Sequence, residues 1–311
     1  MINFKTIVLA GGGTKGIIEL GVLHYYFEKK ACEQVEIYSG VSIGSIICLL
    51  LICGYTPIEI FHEVYESGPM FDKNDVQPIK EMISTTGILS MDRFKKKIEI
   101  LVKNKLGKIP TLKELHDQTK KTFIITLSNV TSMQSEYFSY KTHPLIDCVT
   151  ATVMSCNIPG IFHKMSYKGN FYVDGGLKDN FPIKYTIETE ETEKILGVVI
   201  TGTDTSLSDK DFLGYLYRLI FMPINTITDL RSDQASEDKN ITLIKIEWNG
   251  SSLSVTSDIS KSSQLEMFGI GYQKCEKYEF ESSIEKENLP EEKLIPNQSS
   301  IKTNVKCRKK K

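Results

Sequence analysis

Short β-branched, apolar runs alternate along the chain with longer segments of helical period. Residues 6–10 form the first such run, closing at Gly11, and predict a buried strand. A helix follows over 14–30, with Ile17, Ile18, Gly21, Val22 and Tyr25 on one face. Residues 35–38 predict a second strand and 39–45 a turn. Residues 46–51 then begin a helix that is apolar all round, hence buried. The stretch 55–120 is more polar and mostly helical, with turn signals at Gly68-Pro69, Gly87 and Gly107. A third strand over 122–127 has 136–140 as a pairing candidate, 144–156 predicts a helix, and 162–173 a hairpin turning at Gly169-Asn170. Beyond it come a fourth core strand (196–200), a long helix (209–233) with a break at Pro223, a strand (241–248) and a helix (261–280).

This alternation predicts an α/β fold with a largely parallel sheet. The expected organisation is a catalytic unit over 1–205 carrying a cap-like insertion at 55–120. A C-terminal α/β extension, 206–280, packs on the same domain, and a polar, disordered tail over 281–311 ends in Lys306-Cys307-Arg308-Lys309-Lys310-Lys311. The apolar cluster within 212–222 is expected to be a buried helix face, with channel lining or lipid docking as its other uses.

Composition narrows the partners. A length of 311 residues with 41% hydrophobic content supports a substantial core. A net charge of −1 gives no general attraction for nucleic acid, and only four arginines (Arg93, Arg218, Arg231, Arg308) disfavour bidentate phosphate recognition. Seven cysteines without a C-x-x-C pair read as buried free thiols in a reducing compartment. The N-terminus lacks a secretory pattern, and the longest apolar run, 46–53, is far short of the ~20 residues of a membrane span. The expected location is the cytoplasm, with at most peripheral contact with membranes.

Chemistry concentrates at three places. Gly40-Val41-Ser42-Ile43-Gly44 is a G-x-S-x-G nucleophile elbow, which puts a serine on a sharp strand-to-helix turn. Gly11, Gly12 and Gly13 sit at another strand-to-helix junction, where unpaired N–H groups and the helix dipole favour an anion. Beside a serine nucleophile that loop is an oxyanion hole. Gly11, Gly13 and Gly16 also satisfy G-x-G-x-x-G, with Glu36 as the acid of a dinucleotide site. However, Glu36 falls at the start of the second strand, not its end. A Ser-His-Asp triad lacks its late histidine: His24, His62, His116, His143 and His163 are the five present, and none follows residue 163. His163 is the one worth testing. The remaining base is Asp174, which ends a β-branched run and precedes Gly175-Gly176; partial desolvation would raise its pKa toward that role. No ladder of aspartates suggests calcium, so neither metal nor cofactor is expected.

Four blocks, in order, resemble the patatin-like phospholipases: Gly11-Gly12-Gly13-Thr14-Lys15-Gly16, the elbow Gly40 to Gly44, Ser155 to Phe162 with Pro159, and Asp174-Gly175-Gly176 with Asn180 and Pro182. Lys15 stands where the family pattern has arginine. The resemblance covers about residues 6–200. It implies a three-layer fold with a mainly parallel central sheet flanked by helices, Ser42 as nucleophile, Asp174 as base, and the glycine-loop amides as oxyanion donors. It further implies a phospholipid or other glycerolipid substrate and transient contact with a membrane surface. A transacylase with the same acyl-enzyme, and a nucleotide-binding or inactive lipid-binding module, remain alternatives.

Overall fold

The computed structural model describes residues 3–66, 84–202, 212–250 and 259–287. Ten strands and nine α-helices are numbered here among those residues. The N-terminal part runs β1 (Thr6–Leu9), α1 (Gly16–Glu28), β2 (Ile37–Val41), α2 (Ile43–Ile52) and α3 (Pro57–Glu66). Next come β3 (Gly87–Leu89), α4 (Asp92–Leu106), α5 (Leu112–Thr119), β4 (Thr122–Asn129), β5 (Gln134–Phe138), α6 (Cys148–Ser155) and β6 (Gly160–Phe162). The chain continues through β7 (Met165–Tyr167), β8 (Asn170–Asp174), α7 (Ile183–Thr189), β9 (Ile195–Thr201), α8 (Phe212–Ser236), β10 (Ile241–Glu247) and α9 (Lys261–Glu287).

Eight strands form one mixed, mainly parallel sheet in the order β10-β9-β1-β2-β4-β8-β7, with β5 pairing β4. The strands from β10 to β4 are parallel; β8, β7 and β5 run antiparallel to their neighbours. Side-chain alternation along β1 makes the layers. Ile7 and Leu9 join a large core with α1, α2 and α6, whereas Val8 and Ala10 face a smaller one with Phe181, Ile183 of α7 and Ala235 of α8. Both faces are therefore covered, as a parallel sheet requires.

The register of β4 places the site. Residues 122–126 pair with β2 and 127–129 with β8, while β5 pairs with 125–129. A strand has two edges, so β2 and β8 must share one of them, end to end. Val41, opposite Thr126, is where β2 leaves that edge, and Asp174, opposite Leu127, is where β8 takes it over.

Several boundaries differ from expectation. β2 extends through Val41 and the turn shrinks to Ser42, because Ser39 and Gly40 are buried and paired with both β1 and β4, and Val41 is buried and paired with β4. The 144–156 helix begins only at Cys148, where Asp147 caps it by accepting the Thr150 N–H (2.7 Å). α8 passes through Pro223 unbroken; the residue is exposed, so the carbonyl it leaves unpaired faces water. On that helix Tyr217 and Ile224 are buried, but Tyr215, Leu219 and Met222 are exposed, so the apolar cluster is only in part a buried face. Residues 281–287 continue α9, and 288–311 lie outside the described residues, as do 67–83 of the cap-like insertion. The rest of that insertion contributes Ile60, Phe61, Leu89, Phe94, Ile98 and Val102 to the main core. Six of the cysteines are described, all free and buried. Burial pushes the thiols of Cys32 and Cys53 up to about 12.

α9 docks on α1 through two glycines. A Cβ at Gly21 would run into the Phe268 carbonyl oxygen, and one at Gly271 into the Ile18 carbonyl oxygen. Around this contact Glu279 accepts from Tyr25 Oη and Lys29 Nζ (2.8 Å each), and Glu28 accepts from Tyr272 Oη (2.9 Å). A Gly21→Val substitution is expected to cost about 2–3 kcal/mol by forcing the helices apart. A urea midpoint equal to wild type would show that α9 does not rest on α1 in this way.

Candidate active site

Ser42 is the sole residue between β2 and α2, and the turn it makes is strained. Its φ of 52° and ψ of −127° lie outside the regions open to residues with a side chain. Such a conformation costs on the order of 1–3 kcal/mol and must be held from outside. Glycine makes the turn passable: a Cβ at Gly40 would sit 2.7 Å from the Gly44 carbonyl, and one at Gly44 2.6 Å from the Ala10 carbonyl. Hydrogen bonds then lock it. Ser155 Oγ accepts the Ser42 N–H (2.9 Å) and donates to the Thr126 carbonyl (2.7 Å). Ser45 donates its backbone N–H and its hydroxyl to the Ser42 carbonyl (2.9 and 2.6 Å).

Asp174 meets Ser42 because of the shared β4 edge. Its carboxylate accepts the Gly176 N–H (2.8 Å) and lies close enough to the Ser42 hydroxyl for that group to lower its pKa. Its own N–H is fixed by the Asn157 carbonyl (2.8 Å). Gly175 admits this turn; a Cβ there would strike the Thr126 carbonyl. Both Ser42 and Asp174 are buried. Burial pushes the Asp174 carboxyl up to about 6, against the lowering effect of the nearby Ser42 hydroxyl and the Gly176 N–H. The Cys156 thiol, driven upward by burial, lies near the Ser42 and Ser45 side chains, which offset part of that rise.

The glycine loop adjoins the same pair. A Cβ at Gly11 would lie 3.1 Å from Ser42 Cβ. Gly11 is not an amide donor for a ligand, contrary to expectation: its N–H already donates to the Asn180 carbonyl (3.2 Å). Asn180 returns a bond from Nδ2 to the Gly11 carbonyl (3.2 Å) and gives another to Thr228 Oγ1 of α8 (2.9 Å). Gly12 and Gly13 keep N–H groups without a partner among the described residues, just ahead of α1. Lys15 is buried and donates from Nζ to the Gly202 carbonyl past the end of β9 (2.8 Å), so it ties the loop to the neighbouring strand. Gly16 opens α1 against Ile43, and Pro159 leads into β6.

Histidine takes no part among the described contacts of this pair. His24 packs on Phe268 and Tyr272, His116 stacks on Tyr140, His143 stacks on Phe138, and His62 is exposed. His163 pairs through its backbone N–H with the Leu89 carbonyl, and its Nε2 is buried without a partner. Glu36 precedes β2, at the opposite end of the strands from the glycine loop, so the dinucleotide arrangement is not assembled. Among the described residues no group of three or more His, Cys, Asp or Glu side chains is placed to hold a metal ion, and no helix is long and apolar enough to cross a membrane. Ser155, Cys156 and the loop-holding role of Asn180 are what the sequence left unread. Their signal is the S-x-x-x-P and N-x-P blocks, whose side chains acquire a purpose only once β4, α6 and the loop are in place.

Comparison with known proteins gives the same outline. A family model described as patatin-like phospholipase matches residues 7–187, more than half of the chain. The chain is 30% identical over 290 residues to the probable lipid hydrolase 463L of Invertebrate iridescent virus 6, covering 92% of this chain and 90% of that protein. It is 26% identical over 285 residues to the uncharacterized protein R571 of Acanthamoeba polyphaga mimivirus, covering 86% and 92%. Among solved structures, VipD from Legionella pneumophila shares the fold with a TM-score of 0.53 at 19% identity. That match covers 88% of this chain and 66% of VipD, just under two thirds of it.

The burial of Asp174 has a measurable price. Its folded pKa of about 6 lies above the ordinary 3.8, so between these values the folded state holds the proton that the unfolded state has lost. Stability from this group is thus present at low pH and is lost as pH rises through about 6, by about 3 kcal/mol in all. Asp174→Asn, which cannot ionise, is expected to be more stable than wild type at pH 8 and to lose that advantage near pH 4. Thermal unfolding at the two pH values checks this; an equal advantage at both would contradict it.

Proposed function

Since the chain belongs to the patatin-like phospholipase family, we propose that it is a phospholipase A-type lipid acyl hydrolase working through a Ser42–Asp174 dyad. One observation carries the reading: the fold sets the Ser42 hydroxyl beside a buried carboxylate where β2 and β8 meet on β4, with no described histidine contacting either, next to two amides at a helix entrance that have no partner among the described residues. A carboxylate with a pKa near 6 is a usable base at neutral pH, ionised yet more basic than an exposed aspartate. In the proposed reaction Asp174 takes the Ser42 proton as Oγ attacks the acyl carbonyl carbon. The tetrahedral oxyanion is held by the Gly12 and Gly13 N–H groups. The intermediate collapses, the lipid alcohol leaves with the proton from Asp174, and an acyl-serine remains. Asp174 then deprotonates a water that attacks the acyl-serine, which frees the fatty acid and restores the hydroxyl. The strained elbow serves this chemistry, because it holds Oγ in place before substrate arrives. The probable lipid hydrolase among the relatives supports a lipid ester as substrate.

Mixed phospholipid vesicles test it. Wild type is expected to release free fatty acid, equally with and without EDTA. Ser42→Ala is expected to lose activity by about a thousandfold or more, and Asp174→Asn by about 10²–10⁴-fold. Undiminished release by Ser42→Ala, or loss on adding EDTA, would contradict the mechanism.

A further inference from the structure

We propose that two hairpin tips above the dyad form an anchor that seats this edge of the sheet on an anionic lipid surface; this rests on the lipid-hydrolase reading. β4 runs outward past Ser42 and ends at Asn129, and its turn into β5 carries Val130, Thr131, Ser132 and Met133. The β7–β8 hairpin turns at Lys168-Gly169 and returns through Phe171. By register, Asp174 lies opposite Leu127 and Tyr172 opposite Asn129. The two tips therefore stand about 10 Å beyond the dyad, on the same edge.

Both tips expose large apolar side chains and are braced by hydrogen bonds. Val130 is 52% exposed, Met133 75% and Phe171 43%. The tips are joined to each other, since the Val130 N–H donates to the Phe171 carbonyl (2.9 Å) and the Phe171 N–H to Thr131 Oγ1 (3.0 Å). Asn129 Oδ1 accepts the N–H groups of Thr131 and Ser132 (2.9 and 3.1 Å), which fixes the turn. Met133 has a φ of 57°, a backbone position that glycine or asparagine fills more easily. A large side chain held there in water brings nothing to the core.

Charge selects the occupant. Residues 127–135 contain no Asp, Glu, Lys, Arg or His, and of these types 157–173 contain only His163, Lys164 and Lys168. Lys164 Nζ lies 5.2 Å from the Phe171 ring centroid and Lys168 Nζ 5.3 Å from that of Tyr167. The nearest acids by register, Glu136 and Asp174, both lie opposite Leu127: Glu136 is turned to Asn129 Nδ2 (2.6 Å) and Tyr172 Oη (2.9 Å), and Asp174 is buried below the tips. Apolar tips with only positive charge beside them complement acyl chains under anionic headgroups.

Flotation with vesicles of phosphatidylcholine, alone or mixed with phosphatidylglycerol, tests this in a Ser42→Ala background, where no lipid is consumed. The parent is expected to bind the anionic vesicles about tenfold more strongly than the neutral ones. Val130→Ser/Met133→Ser/Phe171→Ser is expected to lose most binding to both, and Lys164→Gln/Lys168→Gln only the anionic preference. With Ser42 restored, both variants are expected to hydrolyse a water-soluble short-chain ester as wild type does. Unchanged vesicle binding by both variants would overturn the proposal. So would a parent that binds neither vesicle, which would leave the tips to a protein partner. Loss of binding in Leu219→Glu/Met222→Glu of α8 instead would likewise move the anchor elsewhere. Failure of the hydrolase reading would show separately, as absent ester turnover with vesicle binding intact.

Discussion

The edge of β4 that β2 and β8 share end to end is the constraint on which the site depends. Ser42 and Asp174 are far apart in sequence, and nothing local brings them together. The hand-over between Thr126 and Leu127 leaves the last residue of β8 facing the first residue after β2. The Thr126 carbonyl at that point accepts from Ser155 Oγ, which in turn holds the Ser42 amide. A slip of β8 by one residue would turn Asp174 to the other face of the sheet and away from Ser42.

The same junction concentrates costs that the rest of the fold offsets. A serine in a left-handed backbone and a carboxylate in a buried setting both oppose folding. Against them stand a sheet covered on both faces and a set of glycines that let β1, β2, α1 and α2 approach closely. Asn180 joins the two halves of the site. It fixes the glycine loop from both sides through Gly11 and reaches α8 through Thr228, so the helix after β9 braces that loop. Gly11 thereby acts as a brace, which leaves Gly12 and Gly13 with the open amides.

Much of this was legible in the sequence where the signal is local. The β-branched runs located β1, β4, β9 and β10, and the elbow and glycine loop stood out because bends and close approach demand glycine. Where tertiary pairing decides, local reading fell short. Ser39 and Gly40 look like turn residues, yet β1 and β4 recruit them into β2. Pro223 looks like a helix end, yet its solvent-facing side makes the lost hydrogen bond tolerable. β3 and β6 are three residues each and exist only as each other's partners. Ser155 gave no sign of its role, since its two bonds go to residues 113 and 29 positions away.

The central claim is that Asp174, rather than a histidine, is the base that activates Ser42. It is tested most directly by the rate at which a fluorophosphonate labels Ser42 as a function of pH, in wild type and in Asp174→Asn, with the labelled peptide mapped. The account predicts labelling at Ser42 that rises with pH through about 6 in wild type, and a rate in Asp174→Asn that is low and lacks that step. The same step near pH 6 surviving in Asp174→Asn, or a label mapped to another residue, would contradict it.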